Sequence, residues 1–178
     1  GSKYLQKLID AGVKSFKIEG RLKNENYVKN IVAFYRTEID KFAQKTSSGK
    51  VFLDFTPDPN KSFNRGFTDY FLEKRKNCFN FETSKAVGEY LGKIKKVGKD
   101  WFELNAKVAK QDGLYFNNNG CLVNKIENGK IYPNKMNGIT VGTDVFRNYD
   151  NEFEKQLTNS KTNRRILVKF ECKKGILY

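Results

Sequence analysis

The chain has 178 residues, with 34 Lys or Arg against 20 Asp or Glu, and its formal net charge of +14 at pH 7 favours polyanionic partners, RNA above all. It contains no histidine, which excludes Ser–His and Cys–His catalytic pairs and H-E-x-x-H metal sites from these residues. No apolar run approaches the ~20 residues of a membrane span, so we expect a cytoplasmic protein without a membrane partner.

Two amphipathic helices are predicted near the N-terminus. The first spans residues 3–11, because apolar residues recur there at helical spacing and Gly12 can adopt the left-handed turn that ends a helix. The second begins after Asn24, a good capping residue, and its apolar positions are Tyr27, Val28, Ile31, Val32, Tyr35, Ile39 and Phe42. One face of this second helix should be apolar along its whole length.

A short buried strand is predicted between the helices, over residues 15–21. Apolar and polar residues alternate there, and the strand ends in Glu19 and Arg21. A helix–strand–helix order with short connections is typical of α/β folds, in which ligands collect at the carboxyl ends of strands. Lys17, Glu19 and Arg21 are therefore candidate binding residues. A Glu19–Arg21 ion pair on a solvated strand end is the alternative that requires no ligand.

Residues 49–85 are predicted to connect two structured parts, because Pro57 and Pro59 interrupt regular structure. Arg65 and Gly66 form the tip of this connector, which makes Arg65 a further candidate binding residue. Its aromatic residues are expected to pack against a neighbouring part: Phe63, Phe67, Tyr70, Phe71, Phe79 and Phe81. Since cations are interleaved with these rings, a groove for single-stranded nucleic acid is the alternative.

Residues 86–148 are predicted to form a small closed antiparallel barrel of five or six strands. Apolar and polar residues alternate in short runs separated by turn signals, and closure removes the exposed edges that an open sheet would present. Asn128-Gly129 is typical of a type I′ hairpin turn, because both residues must adopt positive φ. Gly88 and Gly92 are expected to mark kinks in the first strand or close packing against it.

After the barrel, Asp150 or Asn151 is predicted to cap a short helix with two apolar positions. A strand from Arg164, in which Ile166, Val168, Phe170 and Cys172 alternate, should follow, with a turn leading to a partner strand over residues 176–178.

Two basic clusters are candidate contacts for RNA phosphates. Lys93, Lys95 and Lys96 fall in the first barrel hairpin, and Arg164 and Arg165 lie near the end of the chain. A lysine-rich surface that serves solubility alone is the alternative.

Two sequence motifs carry a family resemblance. The first covers residues 11–21 (AGVKSFKIEGR) and continues in Tyr27-Val28 and Tyr35-Arg36; the second covers residues 62–68 (SFNRGFT) and Tyr70-Phe71. Both closely resemble the collagenase-like protease family, peptidase family U32. The resemblance implies a (β/α)-barrel catalytic region followed by a small β-barrel similar to the second domain of elongation factor Tu.

The expected fold class is therefore α+β: a helix–strand–helix remnant of a (β/α) barrel, followed by a small antiparallel β-barrel. A (β/α) barrel needs eight units and ~250 residues, so we interpret the chain as the C-terminal portion of a longer protein. Its expected parts are the helix–strand–helix (3–48), the aromatic connector (49–85), the barrel (86–148), and a short helix and strand leading to a further domain (149–178).

The resemblance leaves three functions open. The favoured one is an accessory or substrate-binding part of a collagenase-like protease, without a complete active site and inactive alone. The second is the RNA-positioning part of an RNA-base hydroxylase, since several members of the family act in hydroxylation of ribosomal or transfer RNA. The third is a barrel that binds protein partners.

No cofactor is expected within these residues. Cys78, Cys121 and Cys172 lack the C-x-x-C spacing of metal sites, and Cys78, in a basic setting, is the most reactive candidate. The RNA-modifying members hold an iron–sulfur cluster with cysteines upstream of the region seen here. The expected partners are accordingly that upstream catalytic region and RNA.

Overall fold

The computed structural model describes residues 2–43, 49–69, 71–74, 86–166, 168–173 and 176–177. Within these residues the fold is α+β, with helices packed beside a small closed antiparallel barrel. None of the helices in the described ranges has the length and apolarity needed to span a bilayer. The predicted fold class, an α+β chain with a small β-barrel, is confirmed.

Both predicted N-terminal helices are present. A 3₁₀ turn over Ser2–Tyr4 leads into α1 (Leu5–Asp10), and α2 spans Glu25–Ile39. Asn24 caps α2 as predicted, because its Oδ1 accepts a hydrogen bond of 2.9 Å from the Tyr27 N–H.

The apolar face predicted for α2 is only partly covered. Val28 and Val32 are 41% and 45% exposed, whereas Asn30 and Ala33 are buried. The helix thus packs on a face that includes a polar residue, because its neighbours offer hydrogen-bonding groups as well as apolar surface.

The strand predicted over residues 15–21 is wrong. Residues 13–20 adopt no regular secondary structure, and Ile18 is 38% exposed rather than buried. A strand needs a neighbour that satisfies its backbone groups, and no strand in the described part of the chain pairs with this segment. The segment ends in a turn, in which the Lys23 N–H donates to the Gly20 carbonyl over 3.0 Å.

The barrel closes in the order β2-β3-β6-β5-β4-β7, with every neighbouring pair antiparallel. Its strands are β2 (Glu89–Val97), β3 (Phe102–Leu104), β4 (Gly113–Phe116), β5 (Asn119–Glu127), β6 (Lys130–Pro133) and β7 (Asp144–Tyr149). They enclose an apolar core that includes Ile94, Phe102, Leu114, Phe116, Val123, Ile131 and Val145. The prediction of a closed barrel of five or six strands is therefore confirmed, with six strands.

Local signals in the barrel sequence are confirmed as well. Asn128 and Gly129 have φ values of +50° and +75° between β5 and β6, as a type I′ turn requires. Gly92 has φ +116° where the register of β2 against β7 shifts, and Gly88 has φ +87° where a side chain would collide with the Arg147 carbonyl. Both glycines thus mark a kink or a close approach.

A second, smaller core joins segments that precede the barrel in the sequence to segments that follow it. Strand β1 (Lys50–Phe52) pairs with β8 (Asn163–Arg165), and α3 (Asn151–Asn159) packs against α2. This core contains Ala33, Phe55, Phe153 and Leu157. The four-part division of the chain stays a prediction.

The aromatic residues of the connector behave differently from the expectation. Phe67 is 66% exposed, so the prediction that it packs against a neighbour is wrong. Phe71 is 48% exposed, and Phe55 is buried. Tyr70, Phe79 and Phe81 lie outside the described residues.

A buried ionic network fastens the barrel to α3. Asp112 is fully buried and accepts hydrogen bonds from the Ala109 and Asn151 N–H groups over 2.8 and 3.0 Å. Asp150 caps α3, as predicted, by accepting from the Phe153 N–H over 2.9 Å. Arg147 lies 3.2 Å from Asp112 and 3.3 Å from Asp150, so one guanidinium holds both carboxylates.

The strand predicted from Arg164 to Cys172 is formed only at its two ends, since β8 ends at Arg165 and β9 begins at Cys172. Ile166, Val168 and Phe170 are 60%, 60% and 70% exposed, and residues between β8 and β9 find no pairing partner in the described ranges. The hairpin itself is present, since β9 (Cys172–Lys173) pairs with β10 (Ile176–Leu177). Tyr178 and the turn residues Lys174 and Gly175 lie outside the described residues.

Candidate functional site

An open groove of about 460 Å³ lies between the start of α2 and the loop over residues 59–67. We call it the basic aromatic groove, defined by Lys23, Tyr27, Phe63, Arg65 and Phe67. No Asp or Glu is among the described residues that line it. Its surface is therefore positively charged and aromatic.

Two cations flank the ring of Phe63. Lys23 Nζ lies 3.3 Å from the ring centroid, and the guanidinium carbon of Arg65 lies 5.6 Å from it. Both distances fall within the range of cation–π attraction. A ligand that carries anionic groups and a flat ring matches this arrangement, because the cations can bind the charge while the aromatic faces stack.

The loop that forms one wall is held by α2. Asn30 is fully buried, and its amide donates to Ser62 Oγ and to the Asp58 carbonyl, both over 2.6 Å. Its Oδ1 accepts from the Asp58 N–H over 2.8 Å. The Asn30 side chain thus holds both ends of the 3₁₀ turn over Pro59–Lys61. This fixes the position of the residues that follow the turn.

A tight turn then presents Arg65. Asn64 Oδ1 accepts from the Gly66 N–H over 3.2 Å, and Gly66 has φ +92°, a conformation that favours glycine. The Asn64 carbonyl accepts from the Val87 N–H over 2.9 Å, which ties the turn to the segment that enters the barrel. The backbone of Arg65 is therefore fixed from both sides, while its side chain is exposed as predicted for a tip.

The other predicted residues of this region lie apart from the groove lining. Lys17 pairs with Glu19 over 2.8 Å, and both are largely exposed, so the ion pair of the structure is Lys17–Glu19. Arg21 is exposed in the segment before α2. The groove instead combines Arg65 with Lys23, which the sequence reasoning missed. A lysine directly before the capping residue Asn24 is the signal that could have identified it.

The lysines of the first barrel hairpin are partly neutralised. Lys93 lies 2.8 Å from Asp144, whose pKa is lowered by hydrogen bonds from Lys93 and from the Tyr90 hydroxyl. Lys96 lies 3.5 Å from Glu103 across the strand pair. Lys95 is exposed at the irregularity between them. This cluster therefore presents less positive charge than its sequence suggests.

Arg164 and Arg165 lie on β8, on opposite faces of the two-stranded sheet because successive side chains alternate. Arg165 is exposed, and its guanidinium carbon lies 5.0 Å from the ring centroid of Phe52 on β1. Lys169 is exposed in the segment that follows.

The described residues do not fit an iron–sulfur cluster, which requires several cysteine thiolates. Cys121 is buried in the barrel core, and burial raises the pKa of its thiol to about 11. No group of three or more metal-ligating side chains occurs in the described ranges. Cys78 lies outside the described residues, and Cys172 is part of β9.

Comparisons with known proteins give one family match and several relatives. Residues 1–80 match the sequence model of peptidase family U32. The chain is 36% identical over 186 residues to "23S rRNA 5-hydroxycytidine C2501 synthase" of Escherichia coli (strain K12), a match that covers 92% of this chain and 28% of that protein. No solved structure matches the chain.

Two further relatives match over shorter lengths. The chain is 34% identical over 73 residues to "Collagenase" of Porphyromonas gingivalis (strain ATCC BAA-308 / W83), covering 40% of this chain and 18% of that protein. It is 26% identical over 100 residues to "tRNA hydroxylation protein P1" of Bacillus subtilis (strain 168), covering 54% and 24%. The chain thus spans 18–28% of the length of these relatives. Residues 1–80 of the chain belong to peptidase family U32.

Proposed function

We propose that this chain is the RNA-positioning part of an enzyme that modifies RNA bases. The observation that carries the proposal is the extent of the match to the rRNA hydroxycytidine synthase, which covers 92% of the chain and so includes the barrel. The match to collagenase covers 40%, too little to include both sequence motifs and the whole barrel. The barrel lies outside the family match over residues 1–80. Because this chain and the rRNA hydroxycytidine synthase match over the barrel as well, the match supports a substrate class common to both.

The charge of the chain supports the same proposal. A net charge of +14 on 178 residues attracts polyanions and speeds their encounter. The two sequence motifs alone favour an accessory role in a protease as well as they favour an RNA-binding role. A peptide substrate, however, does not account for the high positive charge of the chain.

The basic aromatic groove supplies the contacts that such a role requires. In this proposal Lys23 and Arg65 bind backbone phosphates, and the faces of Tyr27 and Phe67 stack an unpaired base. Asn30 and Asn64 hold the loop before RNA arrives, so little conformational entropy is lost on binding. The residues of this chain bind and orient RNA, and the proposal assigns them no reacting group.

The test is binding of a labelled 23S rRNA hairpin that carries the cytidine modified in the relative, measured by fluorescence anisotropy between 50 and 200 mM salt. We expect the affinity to fall steeply with salt. Arg65→Gln and Lys23→Gln should each weaken binding about fivefold and reduce the salt slope by about one. Lys110→Gln, which removes an exposed lysine of the barrel, is the matched control and should bind normally.

Absence of binding at 50 mM salt would overturn the proposal, as would equal losses for the groove variants and the control. The match to collagenase supports a second candidate, a substrate-binding part of a protease. That candidate requires saturable binding of a collagen peptide that Arg65→Gln weakens. In either case we expect the chain by itself to cleave neither collagen nor casein.

A further inference from the structure

The two-stranded sheet of β1 and β8 carries a second cation–aromatic surface. The register pairs Lys50 with Arg165 and Phe52 with Asn163, so Lys50, Phe52 and Arg165 share one face. We call these three residues the Phe52 patch. Lys50 Nζ lies 5.9 Å from the Phe52 ring centroid and the Arg165 guanidinium carbon 5.0 Å from it, so cations flank the ring from both strands.

The Phe52 patch faces outward. Phe52 is 44% exposed, and Lys50 and Arg165 are exposed beside it. The apolar residues that this part of the chain buries are Leu53 and Phe55, which pack with α2 and α3. Core packing therefore does not account for the position of Phe52.

The cross-strand pairing is costly without an anionic partner. Like charges directly opposite each other destabilise a sheet, and here Lys50 opposes Arg165. The strands are nevertheless held close, because Gly49 at φ +71° lets the backbone approach Arg165 so tightly that a Cβ would lie 2.6 Å from its carbonyl oxygen. A bound polyanion would turn this repulsion into attraction.

We propose that the Phe52 patch is a second contact for single-stranded RNA, in which an unpaired base stacks on Phe52 while Lys50 and Arg165 bind the flanking phosphates. The inference rests on the proposed RNA function and extends it to a separate surface. A single strand is favoured over a duplex because an exposed ring can stack only on a base that has left its own stack.

The experiment measures how the 178-residue chain binds fluorescein-labelled dodecauridine, with a 12-base-pair RNA duplex as competitor. Phe52→Leu keeps an apolar side chain but loses the aromatic face, and we expect it to weaken dodecauridine binding roughly tenfold. Phe52→Tyr restores the face and should bind like the parent. Lys50→Gln and Arg165→Gln should each lower the salt slope by about one. Tyr149→Leu, which removes an exposed aromatic residue of the barrel, should have no effect.

Photo-cross-linking tests directly whether a bound base contacts Phe52. A 4-thiouridine dodecamer, cross-linked by long-wavelength light and mapped by mass spectrometry, should label the peptide that contains Phe52. Circular dichroism of each variant verifies that it is folded.

The outcomes separate the two proposals. If Arg65→Gln weakens binding and Phe52→Leu does not, the Phe52 patch is refuted and the RNA function stands. If Phe52→Leu weakens binding of the duplex as much as that of dodecauridine, stacking is refuted. If neither RNA binds at 50 mM salt, both proposals fail.

Discussion

The amide of Asn30 lies 2.6 Å from the hydroxyl of Ser62, and both residues are buried. Asn30 lies on α2, between the Tyr27-Val28 and Tyr35-Arg36 pairs of the first sequence motif, and Ser62 begins the second. The two motifs are therefore parts of one hydrogen-bonded unit that forms the wall of the basic aromatic groove.

Replacing Asn30 with Ala should lower the free energy of unfolding by about 3 kcal/mol. The change leaves the Asp58 N–H and carbonyl and the Ser62 hydroxyl without their partner in a buried setting, and each unsatisfied group costs about 1–3 kcal/mol. Urea denaturation followed by circular dichroism measures the loss. Asn105→Ala, at an exposed position, is the matched control and should change stability by less than about 0.5 kcal/mol. Similar losses for both variants would contradict the buried role of Asn30.

Asp112→Ala should destabilise the chain by about 3–5 kcal/mol. The variant leaves Arg147, only 10% exposed, without one of its buried carboxylates, and it removes the acceptor for two backbone N–H groups. Asp144→Ala breaks a solvent-exposed ion pair, whose carboxylate is 47% exposed, and it should destabilise the chain far less than Asp112→Ala. Guanidinium denaturation of the two variants in parallel makes the comparison, and equal costs would show that the Asp112 network does not fasten the barrel to α3.

The stability of the chain should fall in acid partly through Asp150. Burial acts to raise the pKa of its carboxyl, but hydrogen bonds from Lys61 and the Phe153 N–H, with the nearby Arg147 charge, outweigh burial and lower the pKa below its ordinary 3.8. As the pH falls, the unfolded chain takes up this proton before the folded chain does. The contribution is therefore complete above about pH 5 and is lost as the pH falls through the folded-state pKa.

Asp150→Asn tests this pH dependence, because Asn still caps a helix but carries no charge. We expect the variant to be less stable than the parent at pH 7 and to lose less stability between pH 5 and pH 3. Thermal melts across that range provide the measurement. Lys61→Gln should also reduce the loss of stability between pH 5 and pH 3. Parallel curves for parent and variant would exclude Asp150 as a source of the acid sensitivity.

Two glycines with similar backbone conformations should respond very differently to alanine. At Gly88 a Cβ would lie 2.1 Å from the Arg147 carbonyl oxygen, so Gly88→Ala must push β2 and β7 apart and should cost more than about 3 kcal/mol. At Gly129 nothing lies within 4 Å, so Gly129→Ala should cost only the left-handed strain of about 1–2 kcal/mol. The difference in Tm between the variants is the measurement, and equal Tm values would refute the close approach.

Several features of this protein follow from short stretches of sequence. The caps Asn24 and Asp150 each satisfy an N–H within three residues, and the Asn128-Gly129 turn depends only on two positive φ values. The closed barrel was predictable because its sequence contains several short alternating runs separated by turn signals, although β4 is buried at all four positions. Such signals need no knowledge of distant residues.

Other features depend on contacts between distant segments. Residues 15–21 alternate like a strand but form none, and Ile166, Val168 and Phe170 alternate between β8 and β9 without belonging to either strand, because alternation does not supply a neighbour to accept the backbone hydrogen bonds. The burial of Asn30 in place of Val32 depends on polar groups that the loop over residues 58–62 brings to α2.

The candidate site divides in the same way. Arg65 could be singled out from its motif, since a tight turn with Gly66 exposes it, but its functional role stays a prediction. Lys23 and Phe63 approach each other only because Asn30 positions the loop, and Lys50 meets Arg165 only through the pairing of β1 with β8. Local sequence therefore determined the helices, turns and barrel strands, whereas the folded chain determined which cations surround which rings, because those distances depend on segments far apart in sequence.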